Sequence, residues 1–182
     1  MKKSYLTIAI LFFIINTCTG QNCLPEGIIF NTQAQIDSFR VIYPDCEIID
    51  GGVEITGEDI KNLNGLQGVR EIGEHLNVSH TGLNNLNGLD SLSSIGMSLS
   101  ISNNDSLINL NGLGKMSYIG NIMRIMSNNS LVSLQGLENL HTLVRASVNN
   151  NPSLLSLNGL INLNYCGDFY IYIWFLYVLS QR

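Results

Sequence analysis

One tetrapeptide, repeated at near-constant spacing, decides what this chain can fold into. Leu63-Asn64-Gly65-Leu66 returns as Leu86-Asn87-Gly88-Leu89, Leu110-Asn111-Gly112-Leu113, Leu134-Gln135-Gly136-Leu137 and Leu157-Asn158-Gly159-Leu160. Its glycines stand 23, 24, 24 and 23 residues apart. A unit of that length is a single supersecondary turn. It cannot bury its own apolar side, but stacked copies bury a continuous core. The repeat therefore predicts an all-β solenoid rather than a compact core.

Other columns share the register. Leu76-x-Val78, Leu99-x-Ile101, Met123-x-Ile125, Ala146-x-Val148 and Phe169-x-Ile171 place apolar residues two apart, and Val53-x-Ile55 extends the series upstream. Alternating, β-branched-rich pairs read as short strands with one face buried, and stacked copies give a parallel sheet. Ile55, Val78, Ile101, Ile125 and Val148 then form one buried column. Ile60, Leu83, Leu107, Leu131 and Leu154 supply interior filling, as do Ile72, Ile95, Ile119 and Leu143. The repeat glycines are expected to allow a tight bend or a positive φ between two buried leucines.

A polar column follows the strands. Asn104, Asn128 and Asn151 each stand three residues after a strand's last apolar position. An amide carries donors and an acceptor, so stacked copies at the chain's exit from the strand can form a ladder. Turn-forming asparagines without a ladder are the alternative.

The two ends depart from the repeat. Lys2 and Lys3 precede an apolar run from Tyr5 to Ile15 and a small-residue exit, Thr17-Cys18-Thr19-Gly20. That layout is a secretory signal peptide over 1–20, too short to span a bilayer. A lipoprotein reading on Cys18 fits Thr17 poorly, and a buried N-terminal element is a further alternative. Export would place Cys23, Cys46 and Cys166 in an oxidising compartment. Cys23 and Cys46 flank one short segment and are expected to bridge, leaving Cys166 free. Within 21–50, Thr32-Gln33-Ala34-Gln35 is a capping-box pattern. Ile36, Phe39 and Tyr43 follow at helical spacing, and Pro44 ends the run, so a short amphipathic helix is expected to cap the first turn.

These residues carry a resemblance. Cys23, the run Gly27-Ile28-Ile29-Phe30, Thr32-Gln33-Ala34-Gln35-Ile36, Tyr43-Pro44 and Cys46 resemble the opening of bacterial receptor L-domain-like leucine-rich proteins. The repeats over 51–172 are similar to the same family. The resemblance implies a right-handed β-helix-like leucine-rich-repeat solenoid, related to the ligand-binding L domains of growth-factor receptors. It transfers no catalytic residue, and a fold analogy alone does not give a function.

The tail breaks the pattern. Trp174 stands where the column calls for Asn, and 173–182 is an atypical hydrophobic segment. An aromatic terminal strand, a truncated or frame-shifted tail and a membrane-associated segment remain open.

Without Lys2 and Lys3, seven basic residues face fourteen acidic ones, a formal charge of −7. That balance argues against nucleic acid, whose phosphates need clustered cations. His75, His80 and His141 have no neighbours at metal-ligand spacing, and neither a cofactor nor a catalytic motif is expected. The outward strand positions begin small and polar, then mix apolar groups with cations at Ile122, Arg124, Met126 and Arg145. Such a mixture resembles interface composition, although scattered apolar surface residues are also ordinary. The expectation is a secreted or cell-surface, non-enzymatic binding or adhesion module. Its partner would be a protein or glycan, with no transmembrane helix once the signal is removed. A structural spacer, or a fragment of a larger surface protein, is the alternative.

Overall fold

The computed structural model describes residues 21–172, so the expected signal peptide, Trp174 and the 173–182 tail lie outside the described residues. Two parallel sheets organise the chain. The larger contains β2 (Ile28–Phe30), β4 (Val53–Gly57), β6 (Leu76–Thr81), β8 (Leu99–Ser102), β10 (Ile122–Met126), β11 (Thr142–Asn149) and β12 (Tyr165–Tyr172), ordered β12-β11-β10-β8-β6-β4-β2. The smaller contains β1 (Gln21–Cys23), β3 (Cys46–Ile49), β5 (Glu71–Ile72), β7 (Ser94–Ile95) and β9 (Tyr118–Ile119), in chain order. Each strand pairs with its counterpart one repeat away. Ile55, Val78, Ile101, Ile125, Val148 and Ile171 are successive register partners. The first five of these are at most 1% exposed, as the core column requires.

The smaller sheet goes beyond the sequence expectation. Ile72, Ile95 and Ile119 fill the interior, but they also end two-residue strands. Nor is the segment before residue 51 separate from the sheets, because β1 and β3 begin the smaller one and β2 ends the larger.

Between the sheets the chain turns a corner at Gly73, Gly96 and Gly120. Each corner packs so closely on the preceding turn that a Cβ at Gly96 would strike the Gly73 carbonyl, and one at Gly120 the Gly96 carbonyl. The next turn has Val144 there, half-exposed, and the corner disappears: β11 runs unbroken for eight residues. Three residues separate Ile95 from Leu99 and Ile119 from Met123, but only Val144 and Arg145 separate Leu143 from Ala146, so the chain is one residue short of a corner and the strand continues through. β12 copies that straight course in register with β11.

The repeat glycines divide into two kinds. Gly88, Gly112 and Gly136 have φ of 111°, 108° and 113°, in the left-handed region expected of them. Gly65 and Gly159 instead lie within 3₁₀ turns, Asn64–Leu66 and Asn158–Leu160. The leucines around the first four bends are 0–2% exposed.

Helix α1 (Gln33–Ile42) begins with the capping box. The Thr32 side chain accepts from the Gln35 backbone N–H, while Gln35 Oε1 accepts from the N–H groups of Asn31 and Thr32 at 2.6 and 3.2 Å. Ile36 and Phe39 are buried, and the Phe39 ring meets Phe30 edge-on at 5.8 Å between centroids. The helix backbone rests on the first bend, where a Cβ at Gly65 would strike the Ile36 carbonyl. A disulfide joins Cys23 of β1 to Cys46 of β3, and Cys166 has no disulfide partner among the described residues. Arg40 donates to the Cys46 carbonyl at 2.7 Å, tying the helix to β3.

Candidate functional site

In the larger sheet, alternate side chains point away from the core, as the pleat requires. In β10 the pattern is strict. Met123 and Ile125 are buried, Ile122 and Met126 are half-buried, and Arg124 is exposed. Arg145 of β11, also exposed, is the register partner of Ile122, while Arg124 is paired with Ser100 on one side and Ser147 on the other. The expected residues Ile122, Arg124, Met126 and Arg145 are thus neighbours on one outward face.

The face changes character along its length. Over β4, β6 and β8 it is a shallow, mainly polar groove of about 290 Å³, whose outward groups include Glu54, Asn77 and Ser100 in one row and Thr56, Ser79 and Ser102 in the next. Beside it the His75 imidazole lies against the Gly52 backbone, 3.9 Å from both the Glu54 and Glu74 carboxylates. Over β10 and β11 the polarity reverses to two guanidiniums. Arg145 donates to Asn121 Oδ1 at 2.7 Å. Among the described residues no carboxylate forms an ion pair with Arg124 or Arg145. Other cations are differently placed, since Arg70 pairs with Glu47 at 2.9 Å and Arg40 faces backbone carbonyls.

At the far edge stand Asp168, in register with Arg145, and Tyr170, in register with Ser147. Tyr170 is 57% exposed. Its place in the outward row with Ser100, Arg124 and Ser147 is readable from the repeat. Asn121, which holds Arg145, lies just before β10 and carried no periodic signal.

The asparagine column lies elsewhere, at the strand exits. Asn104, Asn128 and Asn151 are buried. Asn104 Nδ2 donates to Asn128 Oδ1 and Asn128 Nδ2 to Asn151 Oδ1, both at 3.2 Å. Each also donates to a carbonyl of the preceding turn: Asn104 to Val78, Asn128 to Ile101 and Asn151 to Ile125, at 2.9–3.0 Å. These amides are held by the protein itself. The residue before each ladder position is left-handed, Asn103, Ser127 and Asn150 having φ of 53–55°, and so is His80, one turn earlier, at 52°.

Cys166 sits where β12 begins. Burial raises its thiol pKa, a hydrogen bond with the Ala146 backbone lowers it, and the Asp168 charge raises it again. Burial likewise lowers the Arg40 pKa, against the opposing effect of Glu47. Among the described residues, no group of three or more His, Cys, Asp or Glu could hold a metal ion, and no helix is long and apolar enough to cross a membrane.

Residues 45–110 match the family model of the Receptor L domain. The Receptor L domain match runs from the start of β3 past β8 into the third bend, well under half of the chain. It contains the polar half of the outward face and ends before Ile122, Arg124, Met126 and Arg145. No curated protein and no solved structure matched the chain.

Proposed function

We propose that this chain is an exported, non-enzymatic binding module at the cell surface or outside the cell, contacting a protein or glycan through the outward face of the larger sheet. Its turns form a right-handed solenoid of the receptor L-domain, leucine-rich kind, with α1 covering the first turn. The matched description is that of a receptor domain, and the disulfide suits an oxidising compartment.

One observation carries the choice of face. Arg124 and Arg145 are exposed with no carboxylate partner among the described residues, beside half-buried Ile122 and Met126. Apolar groups next to arginine are the composition that interfaces favour. The asparagine column, by contrast, has its amides occupied by internal hydrogen bonds.

The test is a double change, Arg124→Ser with Met126→Ser. Both side chains point away from the core, so the circular dichroism spectrum and melting temperature should stay close to those of the parent. Binding to arrayed glycans and extracellular proteins that capture the parent should be lost. Undiminished binding by a folded double variant removes this face from consideration. A folded parent that captures nothing favours the spacer reading.

A further inference from the structure

We propose that the ligand of this face is an acidic glycan chain, laid across the strands with carboxylate or sulfate groups on Arg124 and Arg145. The inference rests on the binding-face reading and names its ligand class.

The spacing comes first. Ser100, Arg124, Ser147 and Tyr170 are register partners on β8, β10, β11 and β12, so they form one row perpendicular to the strands. Neighbouring strands lie about 4.8 Å apart, close to the advance of one hexopyranose unit in an extended glycan. Ile122, Arg145 and Asp168 form the adjacent row. Arg124 and Arg145 are therefore diagonal neighbours, roughly 7–8 Å apart at the backbone. Anionic groups on successive sugar units can reach both.

The backbone then discriminates between ligand classes. β10 is flanked by β8 and β11, and β11 by β10 and β12. Their N–H and C=O groups belong to the ladders, so an extended peptide laid on this face gains no main-chain pairing. A ligand must be read by side chains alone. A glycan brings its own donors and acceptors, and the face answers with short polar groups at Ser100, Ser147 and Asn149, the last donating to Ser147 Oγ at 3.0 Å. The exposed Tyr170 ring ends the row and offers an apolar face to a sugar ring.

Charge selects within the glycans. A guanidinium binds carboxylate or sulfate in a planar, two-pronged geometry. A neutral sugar would cover two cations and return no charge to them. Asp168 ends the Arg145 row at β12. It repels an anion there and places the acidic groups over β10 and β11.

The experiment titrates the intact protein with four probes: an oligogalacturonate octasaccharide carrying a carboxylate on every sugar, a heparin octasaccharide carrying sulfates as well, a neutral chitin hexasaccharide and a hexaglutamate peptide. At least one acidic oligosaccharide should bind, at least tenfold more tightly than the neutral one or the peptide, and more weakly as salt rises. The probe that binds tells carboxylate from sulfate. Arg124→Ala and Arg145→Ala should each weaken that binding at least tenfold, Arg124→Lys less, and Tyr170→Ala should weaken it with the salt dependence unchanged. The inference is overturned if the folded parent binds neither acidic probe, if hexaglutamate binds as well as they do, or if both arginine variants bind like the parent. Loss of an array partner in Arg124→Ser with Met126→Ser, together with no binding of either acidic oligosaccharide, would leave the face standing and remove only the glycan.

Discussion

The hydroxyl of Thr81 lies 2.7 Å from Oδ1 of Asn104 and donates to it, with the Thr81 backbone N–H adding a second bond at 3.1 Å. A threonine thus heads the ladder that Asn104, Asn128 and Asn151 continue, and nothing in the asparagine pattern pointed to it. Asn128 has ladder partners on both sides. Its replacement by Ala would strand the Asn104 N–H and the Ile101 carbonyl, both bonded to the Asn128 side chain. At about 1–3 kcal/mol for each buried group left unpaired, denaturant titration should show a loss of roughly 2–6 kcal/mol.

Ile101 is fully buried at the centre of the core column. Ile101→Ala should cost about 2–5 kcal/mol, the range for truncating a large core side chain. A loss below 1 kcal/mol would contradict the register.

Two glycines offer a paired test of the corners. A Cβ at Gly96 strikes the Gly73 carbonyl, whereas one at Gly114 meets nothing within 4 Å. Gly96→Ala should destabilise by more than about 1 kcal/mol, and Gly114→Ala should be neutral or slightly stabilising. Melting temperatures of the two variants check the contrast.

Reduction of the Cys23–Cys46 bridge releases a loop with a sequence separation of 23. The loss should be about 3 kcal/mol, the chain-entropy value for a loop near this length. Cys166, whose raised pKa leaves less thiolate than an unperturbed thiol, should react with iodoacetamide at neutral pH more slowly than a cysteine peptide does. A reaction as fast as the peptide's would contradict the shift.

What could be read from the sequence was what recurs in kind. Val78, Ile101 and Ile125 share shape and apolarity, so their column shows itself, and the outward set around Arg124 follows from the pleat. The left-handed residues recur only in conformation. His80, Asn103, Ser127 and Asn150 share a φ but no single chemistry. The two-residue strands at Glu71–Ile72, Ser94–Ile95 and Tyr118–Ile119 are too short to show alternation. The lost corner at Val144 lay in a count, one residue fewer between Leu143 and Ala146 than between Ile119 and Met123. The link from Arg145 to Asn121 depends on side-chain placement at the corner, which spacing alone does not encode.

The parallel register has a consequence for how such a molecule can change length. Every ladder contact in the larger sheet joins a residue to one about a repeat away, and the apolar interior is rebuilt by each unit from its own leucines. A whole unit of 23 or 24 residues inserted between β8 and β10 would find a ready template on both sides. A unit one residue too long would have to shed the surplus in a bend, or turn its buried strand residues outward. Growth is therefore quantised: the chain tolerates steps of one turn and resists anything between, so its reach can vary among descendants while each outward row keeps its spacing.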